Sequence, residues 1–91
     1  MWKNVLKICK DLINEYGELF CLRKVQEELK ELDIAIDRNL NHMEDNRENI
    51  IEELADVRIQ ETKLKLIFNI TEKEIEDYIQ IKLDKIKTHY L

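Results

Sequence analysis

A chain of 91 residues with no proline and a single glycine, Gly17, contains almost nothing that stops a helix. In a helix interior proline costs about 3 kcal/mol and glycine about 1 kcal/mol relative to alanine, so their scarcity leaves few places for strands and turns to be punctuated. The remaining residues are rich in Leu, Ile, Glu and Lys, which favour helix, and an all-α fold in one domain spanning residues 1–91 is expected. Hydrophobic residues make up 44% of the chain and charged residues 38%, a mixture too apolar for a disordered segment. A chain this short buries only a modest core alone, so assembly with further copies is also expected.

Apolar periodicity divides the chain into four helical segments. The first runs from about Trp2 to Tyr16, with Val5, Leu6, Ile8, Cys9, Leu12 and Ile13 at helical spacing, and Gly17 marks its end. The second runs from about Glu18 to Asn41 on a stripe of Leu22, Val25, Leu29, Leu32 and Ile36. The polar run NHMEDNRE reads as a loop. The third begins near Asn46, with Asp45 and Glu48 at capping-box spacing. It carries one apolar line through Ile50, Leu54, Val57, Leu64 and Phe68 and another through Ile51, Ala55, Ile59 and Leu66. A helix apolar on two sides is buried on two sides, which points to a second copy covering one of them. The fourth starts at TEKE, where Thr71 and Glu74 form a capping box, and continues through Ile75, Tyr78, Ile79, Ile81, Leu83 and Ile86. The aromatic residues Trp2, Tyr16, Phe20, Phe68, Tyr78 and Tyr90 fall at helical spacing and read as core or interface.

The net charge of −5 argues against an extended nucleic-acid surface, which needs a basic stripe. No segment approaches the roughly 20 apolar residues of a membrane span, and the N-terminal MWKNVLKICK lacks the long apolar run of a signal peptide. Cys9 and Cys21 have no zinc-ligand partners at useful spacing, so reduced thiols in a cytoplasmic protein are expected.

Two acidic clusters interrupt these helices, EELKE at 27–31 and ELAD at 53–56. Successive helix residues turn by about 100°, which puts Glu28 and Glu31 within about 60° of each other. Lys24 lies between them in projection, and Glu27 on the far flank of Glu31. On the third helix Glu53 and Asp56 form the same pair, with Asn49 and Gln60 on that face. Four carboxylates converging between two helices do not stay ionised without a cation, and hard oxygen donors suit Mg²⁺ or Mn²⁺ better than zinc. A di-iron bundle would need Glu-x-x-His on two helices, but Asn39 precedes His42 and Ile86 precedes His89 at that spacing. Taken singly, each cluster reads as a solvated helix face, which leaves a non-catalytic helical interaction or scaffold protein as the alternative.

The two clusters together resemble the E-E-x-x-E … E-x-x-D signature of the MazG-like all-α nucleoside triphosphate pyrophosphohydrolases. The approach through YG at 16–17, the ELADVRI helix and the closing FNITEKEIEDYIQIKLDKIK are similar to the same family, from about residue 16 onward. The resemblance implies an antiparallel four-helix bundle assembled as a homodimer or homotetramer, and Mg²⁺-dependent cleavage of a nucleoside triphosphate to the monophosphate and pyrophosphate. Close variants would act on phosphoribosyl-ATP or dUTP. Carried over by position, the metal ligands would be Glu28, Glu31, Glu53 and Asp56, with Glu27 orienting water and Lys82, Lys85 and Lys24 meeting phosphate. The chain departs from the family at Cys21, where relatives often carry Gln, and at Ile86 and His89, near an expected Asn and Arg.

Overall fold

The computed structural model describes residues 1–41 and 45–91, all of it helix and short connections. Four helices follow in order: α1 (Trp2–Tyr16), α2 (Glu18–Asn41), α3 (Arg47–Phe68) and α4 (Glu72–Tyr90). The centre of the expected NHMEDNRE loop, with His42, lies outside the described residues.

Gly17 alone separates α1 from α2. Its φ of 85° and ψ of 165° place it in a region that residues with a Cβ scarcely enter. Its N–H closes α1 on the Ile13 carbonyl at 2.8 Å, and its own carbonyl accepts the Cys21 N–H of α2 at 3.2 Å. One residue thus ends a helix and starts the next.

α2 and α3 form an antiparallel hairpin, the main packing unit, and α1 lies against both. The hairpin register is set near its connection by Asn46, whose side-chain amide donates to the Ala35 carbonyl at 2.8 Å. This corrects the expected capping box at Asp45 and Glu48. The cap residue of α3 is Asn46, and its side chain makes no capping bond because it reaches across to α2. The box at Thr71 and Glu74 does form, with the Glu74 N–H donating to Thr71 Oγ1 at 3.2 Å and the Thr71 N–H donating to Glu74 Oε1 at 3.0 Å. The Thr71 N–H and the Thr71 hydroxyl, both donating to Glu74 Oε1, hold the Glu74 carboxyl below its ordinary pKa.

The inward face of α2 is rotated from the expected stripe. Cys21, Val25 and Ala35 are buried, whereas Leu29 and Ile36 are exposed. The seam therefore runs through Glu28 as well as through apolar residues. α3 turns an equally polar line inward, for its buried residues are Gln60 and Lys63. The fully apolar core reduces to Cys9, Cys21, Val25 and Ala35.

α4 does not join a four-helix bundle within the chain. It packs against none of α1, α2 or α3 among the described residues. Its direction is set at the turn, where Asn69 adopts the left-handed conformation, Ile70 N–H returns to the Lys65 carbonyl at 2.9 Å, and Lys65 pairs with Glu72. No described helix is long and apolar enough to cross a membrane.

Gly17 supplies a direct test of this account. A Cβ built there meets no atom within 4 Å, so any cost of Gly17→Ala is conformational and not steric. The variant is expected to lose about 1–3 kcal/mol of stability, read as a lowered urea midpoint with an unchanged slope; an unchanged midpoint would contradict the assigned backbone conformation.

Candidate metal centre

The hairpin register brings Glu28 of α2 opposite Glu53 of α3, and the three-residue step along α3 adds Asp56. One carboxylate oxygen from each of Glu28, Glu53 and Asp56 lies within 4.8 Å of the others. All three side chains are partly buried. Glu31 stays exposed at the border of the cluster. It lies near enough for its charge to act on Glu53.

Glu53 is the most stressed member. Its Oε2 is buried and has no hydrogen-bond partner. Burial raises its pKa above the ordinary 4.5, and the charges of Asp56, Glu28, Glu31 and Glu52 push it further in the same direction. A carboxylate oxygen withdrawn from water and faced by other carboxylates is in a costly position unless a proton or a cation compensates it. The donor set is all carboxylate oxygen, with no thiol or imidazole among the three. That chemistry and the orphaned oxygen fit a hard divalent cation such as Mg²⁺ or Mn²⁺.

Lys24 supplies the positive charge this chain has at the cluster. Its ammonium lies 3.3 Å from Glu28 and 3.4 Å from Glu27. The hydrogen bond to Glu28 is the foremost cause of its raised pKa, followed by Glu27. The pair steadies Glu28 from the α2 side and leaves Glu53 without equivalent support. Of the lysines implied by the family resemblance, Lys24 is thus at the acids, while Lys82 and Lys85 ride on α4, apart from both acidic helices.

The line that carries Glu53 and Asp56 continues through Gln60 and Lys63, at three- and four-residue steps along α3. Gln60 is 7% exposed, its Oε1 has no partner, and Lys63 is 5% exposed. Lys63 acts electrostatically on Cys9, opposing the burial that raises the Cys9 thiol pKa. Lys63 was readable as a site neighbour from its spacing to Asp56, since seven residues are two helical turns. Its burial was not readable, because a lysine on a helix usually faces water. Both thiols are free and buried, with Cys9 Sγ donating to the Ile59 carbonyl at 3.8 Å. The aromatic side chains expected in a core or an interface are not buried within the single chain: Tyr16 and Phe20 stack at 5.0 Å, and both are exposed.

The raised pKa of Glu53 has a definite sign in stability. The folded state binds this proton more tightly than the unfolded chain does, so protonation favours folding. Without divalent cations, stability is expected to rise as pH falls from neutral towards 4.5. Glu74, whose pKa is lowered, acts oppositely and at lower pH. In chelator, urea midpoints across this range should climb for the parent and stay flatter for Glu53→Gln, which should be the more stable protein at pH 7. A variant less stable than the parent at pH 7 would contradict the assigned repulsion.

No family model, curated protein or solved structure matches the chain; the functional reading of the cluster therefore rests on its own geometry and on the motif spacing.

Proposed function

We propose that the chain is a Mg²⁺-dependent nucleoside triphosphate pyrophosphohydrolase of the MazG-like type, working as a homo-oligomer and releasing a nucleoside monophosphate and pyrophosphate. The observation that carries the reading is the meeting of Glu28, Glu53 and Asp56 with their oxygens within 4.8 Å of one another. These acids come from both halves of the motif, and the orphaned Glu53 Oε2 leaves a donor free for a cation.

In this reading Glu28, Glu53 and Asp56 hold Mg²⁺, with Mn²⁺ as a substitute, and Glu31 stands at the edge of the same site. The bound cation supplies neutralisation of phosphate charge and a water of lowered pKa. The chain's remaining contribution is positioning, which is most of what phosphoryl chemistry asks of a protein. Glu27, on the far flank of Glu31 and paired with Lys24, would orient the attacking water. Lys24, whose ammonium lies beside Glu28 and Glu27, would meet a phosphate oxygen at the edge of the acids. Lys82 and Lys85 lie on a helix whose contact with α3 is the Lys65–Glu72 pair at its first turn and which packs against neither α2 nor α3 beyond it among the described residues, so any grip they have on phosphate passes between subunits.

The test is pyrophosphate release from a panel of canonical and modified NTPs and dNTPs with Mg²⁺, alongside Mn²⁺ binding followed by electron paramagnetic resonance. The parent should turn over at least one member of the panel. Glu53→Gln should lower both turnover and Mn²⁺ affinity by about 100-fold or more. Silence across the panel, with no Mn²⁺ bound by the parent, would leave a helical interaction protein.

A further inference from the structure

Beyond the Lys65–Glu72 pair at its first turn, α4 packs against no other described helix. Ile75, Tyr78, Ile79, Leu83, Ile86 and Tyr90 fall within an arc of about 140° on its surface, and all but Ile75 are exposed. Tyr78 is 66% exposed and Ile79 46% exposed. The opposite side carries Glu76, Asp77, Gln80, Asp84 and Lys87. An amphipathic helix draws most of its stability from what covers its apolar face.

Two whole-chain quantities indicate how much cover is missing. The accessible surface is 7672 Å², whereas a compact monomer of this mass exposes about 5,700 Å². The radius of gyration is 15.8 Å, against about 12 Å for a compact domain of this length. The surplus of roughly 2,000 Å² per chain is what an extensive homodimer interface buries on each side.

The same chain offers a groove for such a helix. Trp2 and Val5 of α1 and Ile51, Leu54, Ala55 and Ile59 of α3 line an open apolar cleft of about 480 Å³. It takes in Ile51, Ala55 and Ile59 of the second apolar line of α3, which the single chain leaves exposed, while Leu66 further along is half-buried. α4 cannot be its own chain's occupant in this arrangement, because the short turn at Asn69 and the Lys65–Glu72 pair send it away from the bundle.

We propose that α4 of one copy lies in the α1–α3 groove of a second copy, and reciprocally, so that two chains exchange their last helices. The area argument selects a second copy as the partner. A membrane surface is the poorer match, since an interfacial helix carries a basic polar face and that of α4 is mixed, with Lys73 and Lys87 among Glu76, Asp77 and Asp84 and Lys73 paired to Asp77. Lys82 falls within the docking face and contributes its aliphatic stem there, its ammonium reaching the rim. This pairing goes beyond the hydrolase reading and does not depend on a bound cation.

Two measurements on the full chain test it. Sedimentation equilibrium at micromolar concentration should give the mass of a dimer or a multiple of it, and Ile79→Asp should weaken association by at least about 10-fold. For pairing, Ile79→Cys and Ala55→Cys are made separately, mixed, unfolded and refolded together, and treated with a short bismaleimide; the native Cys9 and Cys21 are buried. The mixture should give a cross-linked dimer that neither variant gives alone. A monomer at every concentration overturns the proposal. So does an assembly indifferent to Ile79→Asp, or one in which Ile79→Cys cross-links efficiently to itself, which would place α4 against α4.

Discussion

Repulsion among carboxylates in the α2–α3 seam is the constraint on which this structure turns. Glu28, Glu53 and Asp56 occupy places along an antiparallel helix pair that an ordinary hairpin would fill with leucine. The cost concentrates on Glu53, which burial and its neighbours' charges both disfavour as an anion. The chain answers on one side only, through Lys24 against Glu28 and Glu27. What is left over is a local deficit of positive charge, fixed in place by two rigid helices. In the function proposed above, that deficit is the driving force for cation capture, and the rigidity of the pair is what makes the capture specific in geometry.

Placing polar groups in the seam has a consequence for the rest of the fold. Gln60 and Lys63 continue the polar line along α3, so the hairpin gains little apolar burial from its own closure. The leucines and isoleucines that would have built a core are turned outward instead, as at Leu29, Ile36, Ile51 and Leu54. A small domain arranged in this way needs apolar cover from outside the chain. The site and the demand for assembly are therefore two sides of one arrangement: residues spent on chemistry inside the seam displace residues of the core onto the surface.

Much of this was legible in the residues, and the limits of legibility are physical. Helix positions followed from local rules, and Gly17 and the Thr71–Glu74 box act where such rules place them. Motif spacing and helical geometry pointed to four acids, Glu28, Glu31, Glu53 and Asp56; the structure brings three of them together and leaves Glu31 exposed at the border. Rules of that kind do not say which way a helix turns once it has a neighbour. The stripe through Leu29 and Ile36 looked like the packing face of α2, yet the helix is rotated towards Cys21, Val25, Glu28 and Ala35. Asp45 had the spacing of a cap, but Asn46 next to it can serve two helices at once by reaching Ala35. Lys63 shares the periodicity of the acids, but its burial is not legible from spacing, because a lysine on a helix usually faces water. The separation of α4 was invisible for a related reason: an amphipathic face records that something covers it and is silent on which chain supplies the cover.

The central claim, a divalent cation held between the acidic helices, is tested most directly by anomalous scattering from crystals grown with Mn²⁺. The account predicts one strong peak per subunit within bonding distance of carboxylate oxygens of Glu28, Glu53 and Asp56, at the manganese edge and absent from Glu53→Gln crystals. Manganese elsewhere, or none, with these three carboxylates turned apart into solvent, would contradict it.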